Sequence, residues 1–435
     1  MRPLAAKPMG CALFLALAIA WGAITGAPAV SAKEQIADTA TSEELPIAEI
    51  ELLTEIYGRI KRDYVDEVDD ERLFRAAIRG MLAELDAHSS YLEDEELKRL
   101  QQGTRGEFGG IGLELVSEGG FVEVVAPIDD TPASRAGLKS GDIITRVDGE
   151  SIRGLELGEV VRKLRGEPGS RVEMTVVRDG EGEPLTFELE RAIIQVESVR
   201  SRLLTAEFGY VRISQFQERT ARDLHRALEG LKDEAEDRLA GLVLDLRNNP
   251  GGVLNSAIAV ADAFLSDGLI VYTEGRVRQA SMEFSASGRD RIDGVPLIVL
   301  INRGSASGSE IVAGSLQDRG RAIIMGQPSF GKGSVQSVVP LGGPAIKLTT
   351  ARYYTPSGHS IDKRGVTPDI TVEPLRLTES EGQEISAEAE LKGRTPSTEE
   401  ERDEQREALH RLAREDYMLY EALNLLKGLK IVEGR

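Results

Sequence analysis

Three serines and one lysine stand where this chain could do covalent chemistry. The segment Arg303-Gly-Ser-Ala-Ser-Gly-Ser-Glu310 follows the apolar, strand-like run 296–302 and precedes a helical stretch. A strand that breaks through small residues into a helix sets the intervening side chains above the sheet's C-terminal edge. The first amides of the helix add donors and positive dipole character there. Such a place suits a nucleophile and an oxyanion hole. Ser305, Ser307 and Ser309 compete for the role, and each could equally cap or turn the chain.

A serine hydroxyl is a weak nucleophile and needs an adjacent base. The segment Gly326-Gln-Pro-Ser-Phe-Gly-Lys-Gly-Ser334 delivers Lys332. A free lysine, with a pKa of ~10.4, is protonated at neutral pH, so burial must lower it to roughly 7–8 before it can accept a proton. Phe330, Val335 and Val338 are the apolar company the sequence offers for that. The rival base is a histidine. Of the four, His225 and His410 lie on polar helical patterns, His88 stands far upstream, and His359 is nearest the serine and lysine segments. GQPSFGK also fits a phosphate-loop pattern, but Gly333 stands where Ser or Thr would hold magnesium. Residues 335–339 moreover read as a strand where a phosphate loop opens a helix. The sequence implies no nucleotide, no metal and no other cofactor. A further buried run, Leu242–Leu246, ends in Arg247-Asn-Asn-Pro-Gly-Gly252, whose glycine amides could approach a reacting carbonyl.

The elements that must position these residues alternate from about 207 onward. Strands are expected at 208–213, 241–246, 269–273, 296–302 and 321–325, with helices at 218–232, 254–265 and 309–317, a rhythm that predicts an α/β core. Strands follow near 335–339 and 346–354. Upstream, glycine-punctuated strands at 121–126, 142–147, 171–177 and 185–189, with one amphipathic helix at 155–165, predict a small β-rich domain. Ahead of it, Ile50, Leu53, Tyr57, Ile60 and Tyr64, then Leu73 to Leu85, form helical stripes expected to be packing surface. A last helix is expected over 408–429.

Several separate motifs resemble the C-terminal processing, or tail-specific, serine peptidases: LDLRNNPGG (244–252), GSASGSEIVAGSLQDRGRA (304–322) and FGKGSVQ (330–336). LDAHSSYL (85–92), with Ala87 where proline is usual, and LLKGLK (425–430) extend the likeness over nearly the whole chain beyond its leader. The resemblance implies a Ser–Lys dyad in which the base stands twenty-five residues after the nucleophile, which selects Ser307 with Lys332. It further implies that Gln336 assists the lysine, and that Gly308 with Gly251 or Gly252 forms the oxyanion hole. Phe108-Gly-Gly-Ile-Gly-Leu-Glu-Leu115 resembles the carboxylate-binding loop of PDZ domains, and the run 134–144 is typical of that fold. Gly109, Gly110, Ile111, Gly112 and Leu113, with Val160, Val161 and Leu164 on the neighbouring helix, would then form the peptide site. Arg178 resembles an arginine that links the PDZ domain to the active site in some relatives.

The expected fold is therefore multidomain α/β: a helical N-terminal module over 33–105, a PDZ domain over 106–192, a Ser–Lys peptidase core over 193–375, a polar segment over 376–407 and a C-terminal helix over 408–435. A formal charge of −20 argues against a nucleic-acid binder, whose phosphate contacts need a basic surface. Arg2 and Lys7 precede an apolar run from Met9 to Ile24, and small residues end at Ala32, which reads as a signal peptide over 1–32. Uncleaved, it would be a membrane anchor. The expected location is the periplasm or another extracytoplasmic compartment. Cys11 is the only cysteine, so no thiol chemistry is expected beyond the leader. Expected partners are protein or peptide substrates with free, apolar C-termini. The helical termini offer surfaces for homo-oligomer contact, and a regulatory adaptor would fit the same organisation. The alternative is a PDZ-containing adaptor with an inactive peptidase core.

Overall fold

The computed structural model describes residues 45–118, 121–373, 375 and 407–433. The expected leader, residues 33–44 and the segment 376–406 lie outside them. The chain divides into two compact units between Asp69 and Asp70. The described part of the first holds one helix, Ile47–Asp63, with Glu49 in its first turn and Lys61 and Arg62 in its last, the arrangement that suits the helix dipole. Its apolar stripe, expected to be buried, is not. No residue of the helix is buried, and Ile50 and Leu53 are about half exposed, at 46% and 50%. Among the described residues of its own unit no second helix or strand stands as a layer on which to bury a face.

The second unit opens with helices Asp70–Ala83 and Asp94–Arg105 around the short strand Ser90–Leu92. Its β-rich part is a sheet in the order Leu113–Glu118, Phe121–Pro127, Ile143–Val147, Arg171–Val177, Leu185–Glu190, antiparallel throughout. Strand Arg171–Val177 alternates exposed and buried residues because one face lies on a core of Val122, Val124, Ile144, Val172 and Met174. Helix Leu157–Leu164 closes that core with Val160 and Leu164. A two-stranded ribbon, Glu107–Gly110 with Ala192–Gln195, joins the chain's entry into this part to its exit.

The α/β part is built on six strands in the order 199–205, 208–213, 241–245, 297–301, 323–326 and 370–371, parallel except for the first pair. Strands Gly241–Asp245 and Leu297–Ile301 are buried at every residue. Successive side chains point to opposite faces, so Leu242, Leu244, Leu297, Val299 and Ile301 enter one core, and Val243, Ile298 and Leu300 the other. The first core is covered by helices Thr220–Glu234, Leu254–Asp262 and Gly308–Asp318. The second is covered by Met418, Leu419, Ala422, Leu423 and Leu426 of the last helix, Tyr417–Glu433. The helix expected over 408–429 is thus two, 407–415 and Tyr417–Glu433, because Asp416 caps the second by accepting the Leu419 amide at 3.1 Å. A second sheet, antiparallel, orders strands 90–92, 345–354, 269–275 and 282–285, and Ser334–Pro340 also pairs with Ala345–Tyr354.

Candidate active site

The three serines separate on their hydrogen bonds. The hydroxyl of Ser305 donates to the Leu246 carbonyl at 2.8 Å and that of Ser309 to the Asn249 carbonyl at 2.9 Å, and both residues are fully buried. These two fasten the loop after strand Leu297–Ile301 to the loop after strand Gly241–Asp245. Ser307 lies between them, half-buried, at the N-cap of helix Gly308–Asp318, and its hydroxyl is not committed to a backbone carbonyl in the described residues. Its φ of 54° and ψ of −109° form a conformation L residues avoid, at a cost of about 1–3 kcal/mol held by the surrounding structure.

Gly251 packs against that turn. Its φ is +97°, and a β-carbon there would stand 2.8 Å from Ser307 Cβ and 3.0 Å from the Gly308 nitrogen, so only glycine fits. The buried Asn249 sets this loop: its Oδ1 accepts the Gly251 amide at 2.9 Å, its Nδ2 donates to the Ile213 carbonyl at 2.9 Å, and its carbonyl accepts Ala306. The amides of Gly308 and Gly252 find no backbone acceptor among the described residues.

Glu310 ties the serine turn to the lysine loop. Its carboxylate is fully buried, and Oε2 accepts the amides of Ser307 at 2.7 Å and Lys332 at 2.9 Å. Oε1 accepts the Gly331 amide at 2.6 Å and the Ser329 hydroxyl at 2.5 Å. The sequence carried one signal for this residue that went unused: Ser and Glu three apart at a helix start. Gly331 has φ +90° and runs against the backbone of Lys363 to Gly365, the conformation that lets the loop turn its amides onto the carboxylate.

Lys332 is half-buried, and burial pushes its amine below the ordinary lysine range. The positive charge of Lys347 pushes the same way, and Glu310 opposes. The apolar company expected around it differs: Val335 is buried, but Phe330 is 65% exposed and Val338 also faces out. No hydrogen bond joins the Lys332 amine to the Ser307 hydroxyl among the described residues; the backbones are brought together through Glu310. Gln336 donates to Ser334 Oγ at 2.8 Å and Thr349 Oγ1 at 3.4 Å. The Thr349 amide in turn donates to Ser89 Oγ at 3.1 Å, and Asp86 holds Ser89. The motif at 85–92 therefore buttresses the strand opposite Gln336. His359 is exposed, and its Nδ1 bonds Ser357 rather than any of the three serines.

In the β-rich part, a cleft of about 200 Å³ is lined by Gly110, Ile111, Gly112, Leu113, Val161 and Leu164 among others. Val160 is fully buried in the core behind it. Gly109 does not line the cleft, though its neighbours Phe108 and Gly110 do, and its carbonyl accepts the Gly166 amide at 3.2 Å. Arg178, expected to reach the active site, is instead held inside this part. It pairs with both oxygens of buried Asp142 at 2.7 and 2.8 Å and donates to the Gly137 carbonyl.

Comparison with known proteins agrees with this organisation. The model for peptidase family S41 matches residues 207–372, that for the PDZ domain residues 123–178, and that for the activating protease CtpB N-terminal domain residues 15–96. The carboxy-terminal-processing protease of Bartonella bacilliformis is 45% identical over 395 residues, 90% of this chain and 91% of that protein. The carboxy-terminal processing protease CtpB of Bacillus subtilis is 37% identical, over 74% of this chain and 69% of that protein. Among solved structures, the photosystem II D1 C-terminal processing protease is 34% identical over 74% of this chain and 86% of its own, with a TM-score of 0.46.

Proposed function

The chain belongs to the carboxy-terminal processing proteases, with an S41 peptidase domain and a PDZ domain, and from that premise we propose that it is an exported serine endopeptidase working through Ser307 and Lys332. The observation that carries the assignment is the sorting of the serines: Ser305 and Ser309 donate their hydroxyl protons to scaffold carbonyls, while the Ser307 hydroxyl, in a capping box with Glu310 on a strained turn at a helix N-terminus, donates to no backbone carbonyl among the described residues.

In this reading Lys332, in the neutral form that its desolvation favours, takes the proton from Ser307 Oγ as the oxygen attacks the scissile carbonyl. The C–N bond breaks as the tetrahedral intermediate collapses, the lysine returns the proton to the leaving amine, and an acyl-Ser307 ester remains. Water, deprotonated by the same lysine, hydrolyses it. The Gly308 amide and one from the Gly251–Gly252 pair would hold the oxyanion. Since Gly251 already donates to Asn249, Gly252 is the partner the reading favours. Hydrogen bonds between nucleophile and base often form fully only with substrate in place, so the amine and hydroxyl close on each other in the complex. Gln336 would steady the amine as it does so.

Substrates would be unstructured proteins whose free C-terminus enters the PDZ cleft, and the expected leader would carry the enzyme to the periplasm or another extracytoplasmic compartment. Hydrolysis of casein or an unstructured peptide tests the reading. Ser307→Ala and Lys332→Ala should each abolish it while His359→Ala leaves it; cleavage at the wild-type rate by Lys332→Ala would refute the dyad. An inactive adaptor would cleave nothing in any form.

A further inference from the structure

Arg165 lines the PDZ cleft without an ionic partner among the described residues. It follows the last turn of helix Leu157–Leu164, where an arginine commonly satisfies the terminal carbonyls. That task is already done by another residue: buried Arg191 donates to the carbonyls of Leu164 at 3.0 Å and Lys163 at 2.8 Å. Arg165 forms no ion pair with any carboxylate of the described residues. Its guanidinium lies over the Phe108 ring, 4.4 Å from the centroid, and both residues line the cleft.

The backbone fixes this position against the glycine loop. The Gly166 amide donates to the Gly109 carbonyl, which anchors the residue after Arg165 to the loop itself. Within the loop, the Ile111 carbonyl accepts Ala133 and the Gly112 carbonyl accepts Ile128. A trans peptide points its N–H opposite to its carbonyl, so the Gly112 amide is turned away from Ala133, and no described backbone group accepts it. The cleft thus has an apolar floor, a loop amide without an acceptor among the described residues and a guanidinium resting on an aromatic face.

We propose that Arg165 is a specificity-determining residue that holds the substrate's terminal carboxylate together with the glycine-loop amides. The proposal rests on the PDZ reading above and names the charge that the reading lacks. A guanidinium parked on an aromatic ring is partly desolvated and only weakly held there. It can swing to the carboxylate of a peptide whose last side chain fills the apolar floor, where a charge-assisted bond is stronger than a neutral one.

The test uses the full chain carrying Ser307→Ala, so that bound peptide is not cleaved. It also needs a fluorescein-labelled unstructured peptide ending in leucine, as the free acid and as the C-terminal amide. Anisotropy titrations should show the free acid binding at least about tenfold more tightly than the amide. Adding Arg165→Gln should shrink that ratio by about fivefold or more by weakening the acid alone, with Arg165→Lys keeping part of it. Higher ionic strength should erode the ratio in the Arg165 protein more than in the Gln variant. An unchanged ratio in Arg165→Gln overturns the proposal and leaves the loop amides as the whole carboxylate site. Equal weakening of both peptides also overturns it, reducing Arg165 to packing on Phe108. No preference for the acid in the Arg165 protein removes the carboxylate reading itself, and Arg165's role with it.

Discussion

Ser307 and Lys332 hang from one oxygen: Glu310 Oε2 accepts the amide of the first at 2.7 Å and of the second at 2.9 Å. In the proposed dyad, that oxygen sets the distance between the two backbones from which nucleophile and base project. Glu310 touches neither reacting atom, so its role is positional. Glu310→Gln places an NH₂ group where donors converge and leaves buried amides short of acceptors, each costing about 1–3 kcal/mol. The expected outcome is a kcat about 10²-fold lower with KM little changed, together with a lower melting temperature. A kcat near wild type in steady-state assays of the folded variant would show that the tie does not position the dyad.

Gly251→Ala tests the close approach on the other side of the nucleophile. The added methyl would meet Ser307 Cβ at 2.8 Å in a backbone conformation that alanine resists. Displacing the turn should cost about 10²–10³ in kcat, the scale of a lost oxyanion donor, with circular dichroism unchanged. A fully active variant would place the oxyanion site elsewhere.

The pH dependence has a definite sign. Lys332 must be neutral to act, and its amine lies below the ordinary lysine range, so kcat/KM should rise with pH through that lowered pKa. Lys347 contributes by charge repulsion. Arg352 and Asp362 pair with each other at 3.6 Å nearby, and Glu310 opposes the shift. Lys347→Gln removes a positive neighbour, so the rising limb should move to higher pH, whereas Lys347→Arg should leave it in place. A limb unmoved by Lys347→Gln would mean that burial alone sets the lysine.

The last helix is clamped to the strand that leads to the glycine pair. Arg247 donates to Asp416 at 2.8 and 2.6 Å and to Asp245 at 2.9 and 2.6 Å; Asp245 is fully and Arg247 largely shielded, while Asp416 is partly exposed. Asp416→Ala strands part of a buried guanidinium and removes the cap of helix Tyr417–Glu433. About 3 kcal/mol of stability should be lost, near the lower end for breaking a buried pair because Asp416 is partly exposed. Lys430→Ala, at the exposed bridge to Glu207, should cost under about 1 kcal/mol. Denaturant midpoints of the two variants compare them directly.

Much of this site was legible because its parts are local. Buried-strand runs such as Leu297–Ile301, the small residues after them and the glycine pair at 251–252 carry their geometry in their own composition. Glu310, Asn249 and the Asp86–Ser89 pair were not legible as site residues, since their work is done across the fold. Glu310 reaches 22 residues forward to Lys332, Asn249 reaches back to Ile213, and Ser89 meets Thr349 from the other end of the chain. The helix Ile47–Asp63 misled for the same reason: periodicity marks an apolar stripe but not whether its own unit supplies a surface to cover it. Arg178 shows the limit of carrying a role over from relatives, since Asp142 claims its guanidinium.

The central claim is that Ser307, not its neighbours, is the nucleophile and that Lys332 activates it. A fluorophosphonate probe forms a covalent adduct only with an activated serine, and peptide mass spectrometry resolves Ser305, Ser307 and Ser309. The account predicts an adduct on Ser307 in the wild-type protein and almost none in Lys332→Ala. An adduct on Ser305 or Ser309, or undiminished labelling of Ser307 without Lys332, would contradict it.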